Sequence, residues 1–574
     1  MAHELVSPHC SSLSFSSNFS FSGGTAAVAR TKFDAASTVT ANEDRTSNSE
    51  FYEAALSPLP TVIEQGINHG YRRSLALLVN YFAAGLFHGV VPALVYPLFK
   101  IRLGLQGYQS NATQTLLGCA WHGKIFLCLL TDCVPIGGRK RTPYLYVGWI
   151  LVLVIFGLML VLDPDVSDVS DASKLILVVS AASVGVLMVD AACDGLMVET
   201  VHRDSLIEEK DLFRSASLSQ SAVHSVRFIA ELLGTLIVAI GMNSEQYNGG
   251  FSFELSIRGL LTILIVGAFT ALGTTWWGLN EPSIEATDDT DDTDAASAVA
   301  LQRLREFWRI MQQRATWQIA SFGFLQKLSL SFGMDSAPPS QAIHEFWLHT
   351  DPFLKNIFLA LVNGGVCVAA SVFVHRCLLS TGWHSSVLLA LLGGLVTGFS
   401  MMMIVVFNVW RNKFLFLVAT EIVGFTDCIA MVMRMLVVVE IAESGFESST
   451  YGLVTSVYNL ADPVATALSN SIGGFFRVFD TDIEQDSKDV RMRAGALLAV
   501  LFSVRALVGL GALPLLPKQK HDARELKAQG GSSKSMALTV FVTIGVVFLA
   551  ALGINFLSVF QSTACSRMAG GMGC

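Results

Sequence analysis

The sequence predicts an all-α polytopic membrane protein, and three observations carry that prediction. The chain has 574 residues, of which 52% are hydrophobic and only 15% charged, whereas soluble domains carry about 25% charged residues. Its apolar residues come in long unbroken blocks, many exceeding the roughly 18–20 residues that cross a hydrocarbon core. Alternating strand patterns of the barrel kind are absent. Inside lipid the backbone must satisfy its own hydrogen bonds, so repeated crossings of this type have to be helices. Mean hydropathy is +0.53, in keeping with this reading.

Thirteen apolar segments are expected, at 74–98, 112–132, 144–162, 175–198, 217–241, 256–279, 316–346, 353–375, 385–409, 414–440, 450–476, 494–516 and 536–560. They are numbered 1 to 13 below. Residues 1–73 read as a cytoplasmic tail whose Ser/Ala/Thr-rich first fifty residues lack any apolar period and are expected to be disordered. The Ser/Phe stretch to Phe21, with Arg30 and Lys32 after it, resembles a transit peptide weakly, and Glu4 and Asp34 argue against one. No secretory signal peptide is visible. Residues 74–279 form a first group of six segments and residues 316–516 a second. Between them, 280–315 holds an acidic run, Asp288 to Asp294, and an expected helix from Ala298 to Arg314. Leu301, Leu304, Trp308 and Met311 share one face of that helix and suit the membrane interface. Residues 517–574 supply a basic loop, the thirteenth segment and a short tail.

Basic loops set the orientation. Arg139, Lys140 and Arg141 follow segment 2, Arg303, Arg305 and Arg309 follow segment 6, and Lys518, Lys520 and Arg524 follow segment 12. These loops share one face, which is therefore expected to be cytoplasmic. The sequon Asn111-Ala112-Thr113 falls toward the other face. The plasma membrane is the default location.

Composition also excludes. The net charge of −8 owes much to the one acidic run, and no basic cluster with interleaved aromatics points to nucleic acid. Ten cysteines lack any CxxC pair, so no zinc or redox motif is indicated. Most sit in apolar blocks, where cysteine behaves as a small hydrophobe. Cys565 and Cys574 in the tail are a candidate pair. No nucleophile–base arrangement, phosphate loop or metal spacing occurs, so neither an enzyme nor a cofactor is expected.

The chemistry lies in ionisable residues at membrane depth, which are costly and are functional candidates by default. Segment 4 carries Asp190 and Asp194, four residues apart on one helix face. Carboxylates that close favour proton uptake by at least one of them. Segment 5 carries Arg227 and Glu231 at the same spacing, able to neutralise each other or to join segment 4. Lys124 in segment 2, Lys327 in segment 7 and Arg434 in segment 10 are cations at depth, and several cations in one cavity favour an anionic or carbonyl-rich partner. Asp427 and Arg505 add a further acid and base. Asn459 and Asp462 precede Pro463 in segment 11, a place for a bend or a site. Phe82, Phe87, Tyr96, Trp121, Phe324 and Tyr458 offer flat rings, most of which serve packing.

The two groups of segments resemble each other weakly, as inverted or parallel repeats do in many carriers. Segments 4 and 10 end in Glu199 and Glu440, and segments 1 and 7 carry Pro92, Pro97, Pro338 and Pro339 toward one face. Two stretches resemble a known family. Asp132-Cys-Val-Pro-Ile-Gly-Gly-Arg-Lys-Arg-Thr-Pro-Tyr144 resembles the loop that major facilitator transporters place after segment 2, although its Asp-to-Gly-Arg spacing is longer and holds a proline. Together with Asp190-Ala-Ala-Cys-Asp-Gly-Leu-Met-Val-Glu199 it is similar to the folate–biopterin transporter family of that superfamily.

The resemblance covers about residues 70–560. It implies a major facilitator fold of two six-helix halves plus one C-terminal helix, and uptake of folates or pterins coupled to protons. Asp190, Asp194 and Glu231 are then expected to handle the proton. Lys124, Arg227, Lys327, Arg434 and Asn459 are expected to meet the solute, Lys124 and Arg434 foremost. Asp132, Arg139, Lys140 and Glu199 are expected to gate. The partners are a small folate or biopterin-like solute, protons and the lipid bilayer. Alternatives are a carrier of another metabolite on the same fold, such as S-adenosylmethionine or a nucleoside-like compound, and a non-transporting receptor.

Overall fold

A computed structural model describes residues 59–162, 169–205, 212–279, 281, 292–334, 336–358, 362–378, 381–441 and 447–574. Residues Gly66–Cys574 form one compact unit. The N-terminal fifty residues, with their transit-peptide resemblance, lie outside the described residues, as does most of the acidic run.

Among the described residues, eight helices are long and apolar enough to cross a membrane: those of segments 1, 3, 4, 6, 9, 10, 12 and 13. The other five expected segments are also helical over their described residues. Segment 2 is built from Gly107–Leu117, Cys119–His122 and Lys124–Cys133, separated at Gly118 and Gly123. Segment 5 runs unbroken over Leu212–Gly241 but carries Arg227 and Glu231. Segment 7 stops at Leu330 and resumes at Ser340, after Pro338 and Pro339. In segment 8 the described α-helices are Pro352–Ile357 and Asn363–Phe373. Segment 11 breaks at Leu460, where Pro463 has no N–H to offer the Asn459 carbonyl one turn back. Breaks in spanning helices are tolerated where the backbone lines a cavity or is covered by protein. Segments 1 and 7 both end in wide π-helical turns, Val95–Arg102 and Ile343–Trp347, near their prolines.

Buried apolar side chains gather in two large clusters. One is drawn from Ala76 to Leu279, with Val559. The other is drawn from Ala315 to Ala551. On the face expected to be outer, the two sets of helices are tied together. Lys100 pairs with Glu345 at 3.0 Å and also with Asp480. The Tyr96 hydroxyl donates to the Thr350 carbonyl, and Asn470 to the Tyr108 carbonyl, each at 2.9 Å. Asn111 is buried and donates to the Ser336 carbonyl, so the sequon is part of this closure and not a surface acceptor.

Segment 13, Lys534–Val559, packs on segments 2 and 11. Its Asn555 donates to the Pro463 carbonyl at 3.0 Å. Beyond it the chain folds back over the outer ends of both neighbours. Tyr108 donates to the Ala564 carbonyl and Ser471 to that of Met568. Cys565 and Cys574 are joined, which closes the tail into a loop. A second disulfide, Cys367 to Cys428, links segments 8 and 10. Sequence analysis read both of these cysteines as small hydrophobes, because nothing local in the sequence shows two distant helices meeting. The interface helix starts earlier than expected and covers Asp292–Gln312. Leu301 and Leu304 stand exposed on it, as an interfacial role requires.

Candidate functional site: an ion cluster beside a central cavity

Segment 1 brings Tyr81 and His88 to one face, seven residues apart. Segments 1 and 5 cross closely at Gly89, where a Cβ would stand 2.0 Å from the Glu231 carbonyl oxygen. Small residues at such crossings let helix backbones approach. The approach sets Arg227 and Glu231 of segment 5 beside segments 2 and 4, and five charged side chains meet there. The Lys124 ammonium lies 2.6 Å from both Asp190 Oδ2 and Asp194 Oδ2. Arg227 Nη1 lies 2.7 Å from Asp190 Oδ1, and its Nε lies 3.0 Å from Glu231 Oε1. Tyr81 donates to Asp194 Oδ1 at 2.7 Å. Both cations also approach the Trp121 ring, Lys124 at 4.9 Å and Arg227 at 4.8 Å from its centroid.

The three carboxylates are not equivalent. Asp190 is fully buried and bridges both cations. Asp194 is held by Lys124 and Tyr81. Among the described residues Glu231 has one ionic partner, Arg227, and its side chain is 37% exposed, close to the 40% of Asp194. It opens onto a cavity of about 590 Å³. Phe87, His88, Trp121, Arg227 and Glu231 wall one side. Lys327, Ser331, Ser336, Asp462 and Thr466 wall the other. His88 stacks edge-on against Trp121 at 4.7 Å, and its buried Nε2 has no hydrogen-bond partner.

On the second side, Lys327 pairs with Asp462 at 2.9 Å, and Ser331 donates to the same carboxylate oxygen at 2.6 Å. Tyr458 receives the Arg434 guanidinium over its ring at 3.2 Å. Farther back, Arg505 pairs with Asp427 at 2.6 Å.

Of the expected solute-contacting residues, the fold thus places Arg227 and Lys327 on the cavity wall. Lys124, Arg434 and Asn459 are not among the wall residues, and the Lys124 charge is taken up by two aspartates. Of the expected gating residues, the side chains of Asp132 and Glu199 lie outside the described residues. Arg139 is exposed in the turn formed with Ile136. The backbone N–H of Lys140 donates to Glu281, as do those of Arg141 and Thr142. Glu281 thereby caps the N-terminus of segment 3 from the far end of segment 6. Burial pushes its carboxyl up, but the backbone donors together outweigh that and hold it below the usual carboxylate range. The Arg141 guanidinium occupies the space a Cβ would need at Gly195, so the two motif stretches touch there.

Sequence reasoning missed Tyr81, His88 and Glu281. The register between Tyr81 and His88 was a usable signal, because both are polar on the buried face of an apolar helix. Glu281 gave none, since its partners are backbone groups about 140 residues away.

A family model described as the BT1 family matches residues 84–530. The chain is 33% identical over 146 residues to "Probable folate-biopterin transporter 4" of Arabidopsis thaliana, a match spanning 25% of this chain and 29% of that protein. It is 23% identical over 465 residues to the folate-biopterin transporter of Synechocystis sp., spanning 77% and 81% of the two chains. Its fold is similar to that of a D-xylose-proton symporter, with a TM-score of 0.52 and 13% identity over 78% of this chain and 98% of the other.

Proposed function

This chain belongs to the BT1 family and is a multi-pass membrane transporter; we propose that it carries folates or pterins, coupled to protons, by alternating access. The observation that carries the proposal is the cavity between the two sets of helices, walled on both sides by ion pairs at membrane depth. In this reading residues 74–279 and 316–516 are six-helix halves that rock about that cavity. The 280–315 linker and segment 13 accompany them. Arg227 and Lys327 meet the negative or carbonyl groups of the solute. Lys124, Arg434 and Asn459 support that site from behind. Asp190, Asp194 and Glu231 handle the proton, and Asp132, Arg139, Lys140 and Glu199 act in the inner-face loops that open and close. The plasma membrane is the proposed location.

The names of the relatives support the solute class, and the cation-bearing walls support a partly anionic solute. The test is uptake of labelled folate and biopterin by cells lacking their own carriers, with and without an inward proton gradient. Gradient-driven accumulation, suppressed by unlabelled pterin, is the expected result. Absence of flux for both compounds, with the protein confirmed in the membrane, rejects the solute class. Asp194→Asn is expected to abolish pH-driven accumulation, and normal accumulation at equal expression rejects the proton assignment.

A further inference from the structure

The cluster behind the cavity is not charge-balanced. Asp190, Asp194 and Glu231 stand against Lys124 and Arg227, a formal charge of −1. In a partly desolvated site such an excess is costly, and each further negative charge costs more. One proton brings the cluster to neutrality. One carboxylate entering from the cavity without a proton brings it to −2. A proton and a carboxylate entering together return it to −1, the charge it holds when empty. The arrangement therefore disfavours an anionic solute alone and favours its entry with one proton.

Geometry says where the proton goes. Asp190 is locked between two cations and Asp194 between Lys124 and Tyr81, and neither is among the cavity wall residues. Glu231 is on the wall and holds only the Arg227 Nε. The groups facing it come from every neighbouring element. They are Arg227 on its own helix with Asp190 of segment 4 beyond it, and, sharing the cavity wall, His88 on segment 1, His122 on segment 2, and Lys327 and Asp462 across the cavity. Lys355 on segment 8 is turned away, bonded to Gln341 and over Tyr96.

We propose that Glu231 and Arg227 form an exchange pair. A carboxylate on the solute replaces Glu231 at the Arg227 guanidinium, and Glu231 takes a proton from a hydronium ion in the cavity, leaving water. Arg227 keeps Asp190 on Nη1 throughout, so only its Nε edge changes partner. His88 lines the same cavity wall, and its buried Nε2 has no hydrogen-bond partner among the described residues, so it is available to the arriving solute or the released acid. The inference rests on the folate/pterin reading for its solutes and assigns them to two classes. Carboxylated solutes of the folate type move with a proton through Glu231. Uncharged pterins bind without that linkage.

Two measurements test it. Infrared difference spectra of the full-length protein, with saturating glutarate as a simple carboxylate minus ligand-free, are expected to show a protonated-carboxyl band that Glu231→Gln removes. Survival of that band in the variant places the proton elsewhere and overturns the proposal. Binding of folate and of biopterin is then measured against pH. Wild-type affinity for folate is expected to weaken by up to about tenfold per pH unit once Glu231 has ionised, as linkage to one proton requires. Biopterin affinity is expected to stay flat. In Glu231→Gln both are expected to be flat, and biopterin binding reports that the variant is folded. An unchanged pH slope for folate in the variant overturns the proposal. If neither compound binds the wild type, the solute reading falls, and the infrared result still decides the proton site.

Discussion

The two sides of the cavity hold charge in different ways. On the side of segments 1, 2, 4 and 5, five ionised groups share partners in one network, with Asp190 common to both cations. On the side of segments 7, 10, 11 and 12, charges are held in separate units. Lys327 is with Asp462, Arg505 with Asp427, and Arg434 over Tyr458. A shared network passes a change at one member to the rest, because each carboxylate sets the need of its neighbours for countercharge. Separate pairs do not. Under the proposed function, the first side would respond to a proton and the second would hold shape and solute.

The largest effect should come from breaking the hub of the network. Asp190→Asn leaves Lys124 and Arg227 short of a fully buried carboxylate, a loss of roughly 3–5 kcal/mol for a broken buried pair. Thermal unfolding of the purified variant should show a large drop, and transport should vanish. Asp427→Asn removes the partly exposed partner of the fully buried Arg505 and is expected to destabilise, though less than loss of the hub. Whatever activity survives there should keep the wild-type pH profile. A shifted profile in Asp427→Asn would erase the contrast between the sides.

An intermediate effect is expected of Lys327→Gln, which frees Asp462 on the cavity wall. It should raise the KM for folate about tenfold, as loss of one charge contact does, with its pH dependence unchanged. Uptake at several solute concentrations and two pH values separates the two quantities. The smallest effect belongs outside the site. Glu281→Gln weakens the cap on segment 3 and should cost ~1 kcal/mol of stability at neutral pH. The Glu281 carboxyl is held low in the folded chain. Its contribution is therefore present above the ordinary carboxylate range and is lost as pH falls through the lowered value. Unfolding midpoints of wild type and variant should converge in acid and separate at pH 7.

Much of this was legible from the chain alone, for reasons visible in particular residues. Segments 3, 9 and 13 are uniformly apolar, so length and composition identify them. Arg227 and Glu231 declare their pairing by a four-residue spacing, and the structure shows that bond. Asp190 and Asp194 declare a shared face, and one ammonium joins them. That the ammonium belongs to Lys124 was not legible, because its contacts span 66 and 70 residues. Proline marked the breaks in segments 7 and 11, whereas those in segment 2 fall at Gly118 and Gly123 inside an apolar run. Segments 2, 5, 7 and 11 line the cavity, and among the described residues 2, 7 and 11 are interrupted and 5 carries an ion pair. Their polarity and irregular backbone weaken the hydropathy signal at the positions where a solute would be held.

The most direct test of the account compares exchange with accumulation in proteoliposomes carrying wild type, Glu231→Gln or Lys327→Gln. The account predicts that Glu231→Gln still exchanges labelled for unlabelled folate but no longer concentrates it on a proton gradient, while Lys327→Gln loses both in proportion. Gradient-driven accumulation by Glu231→Gln at the wild-type level would contradict it.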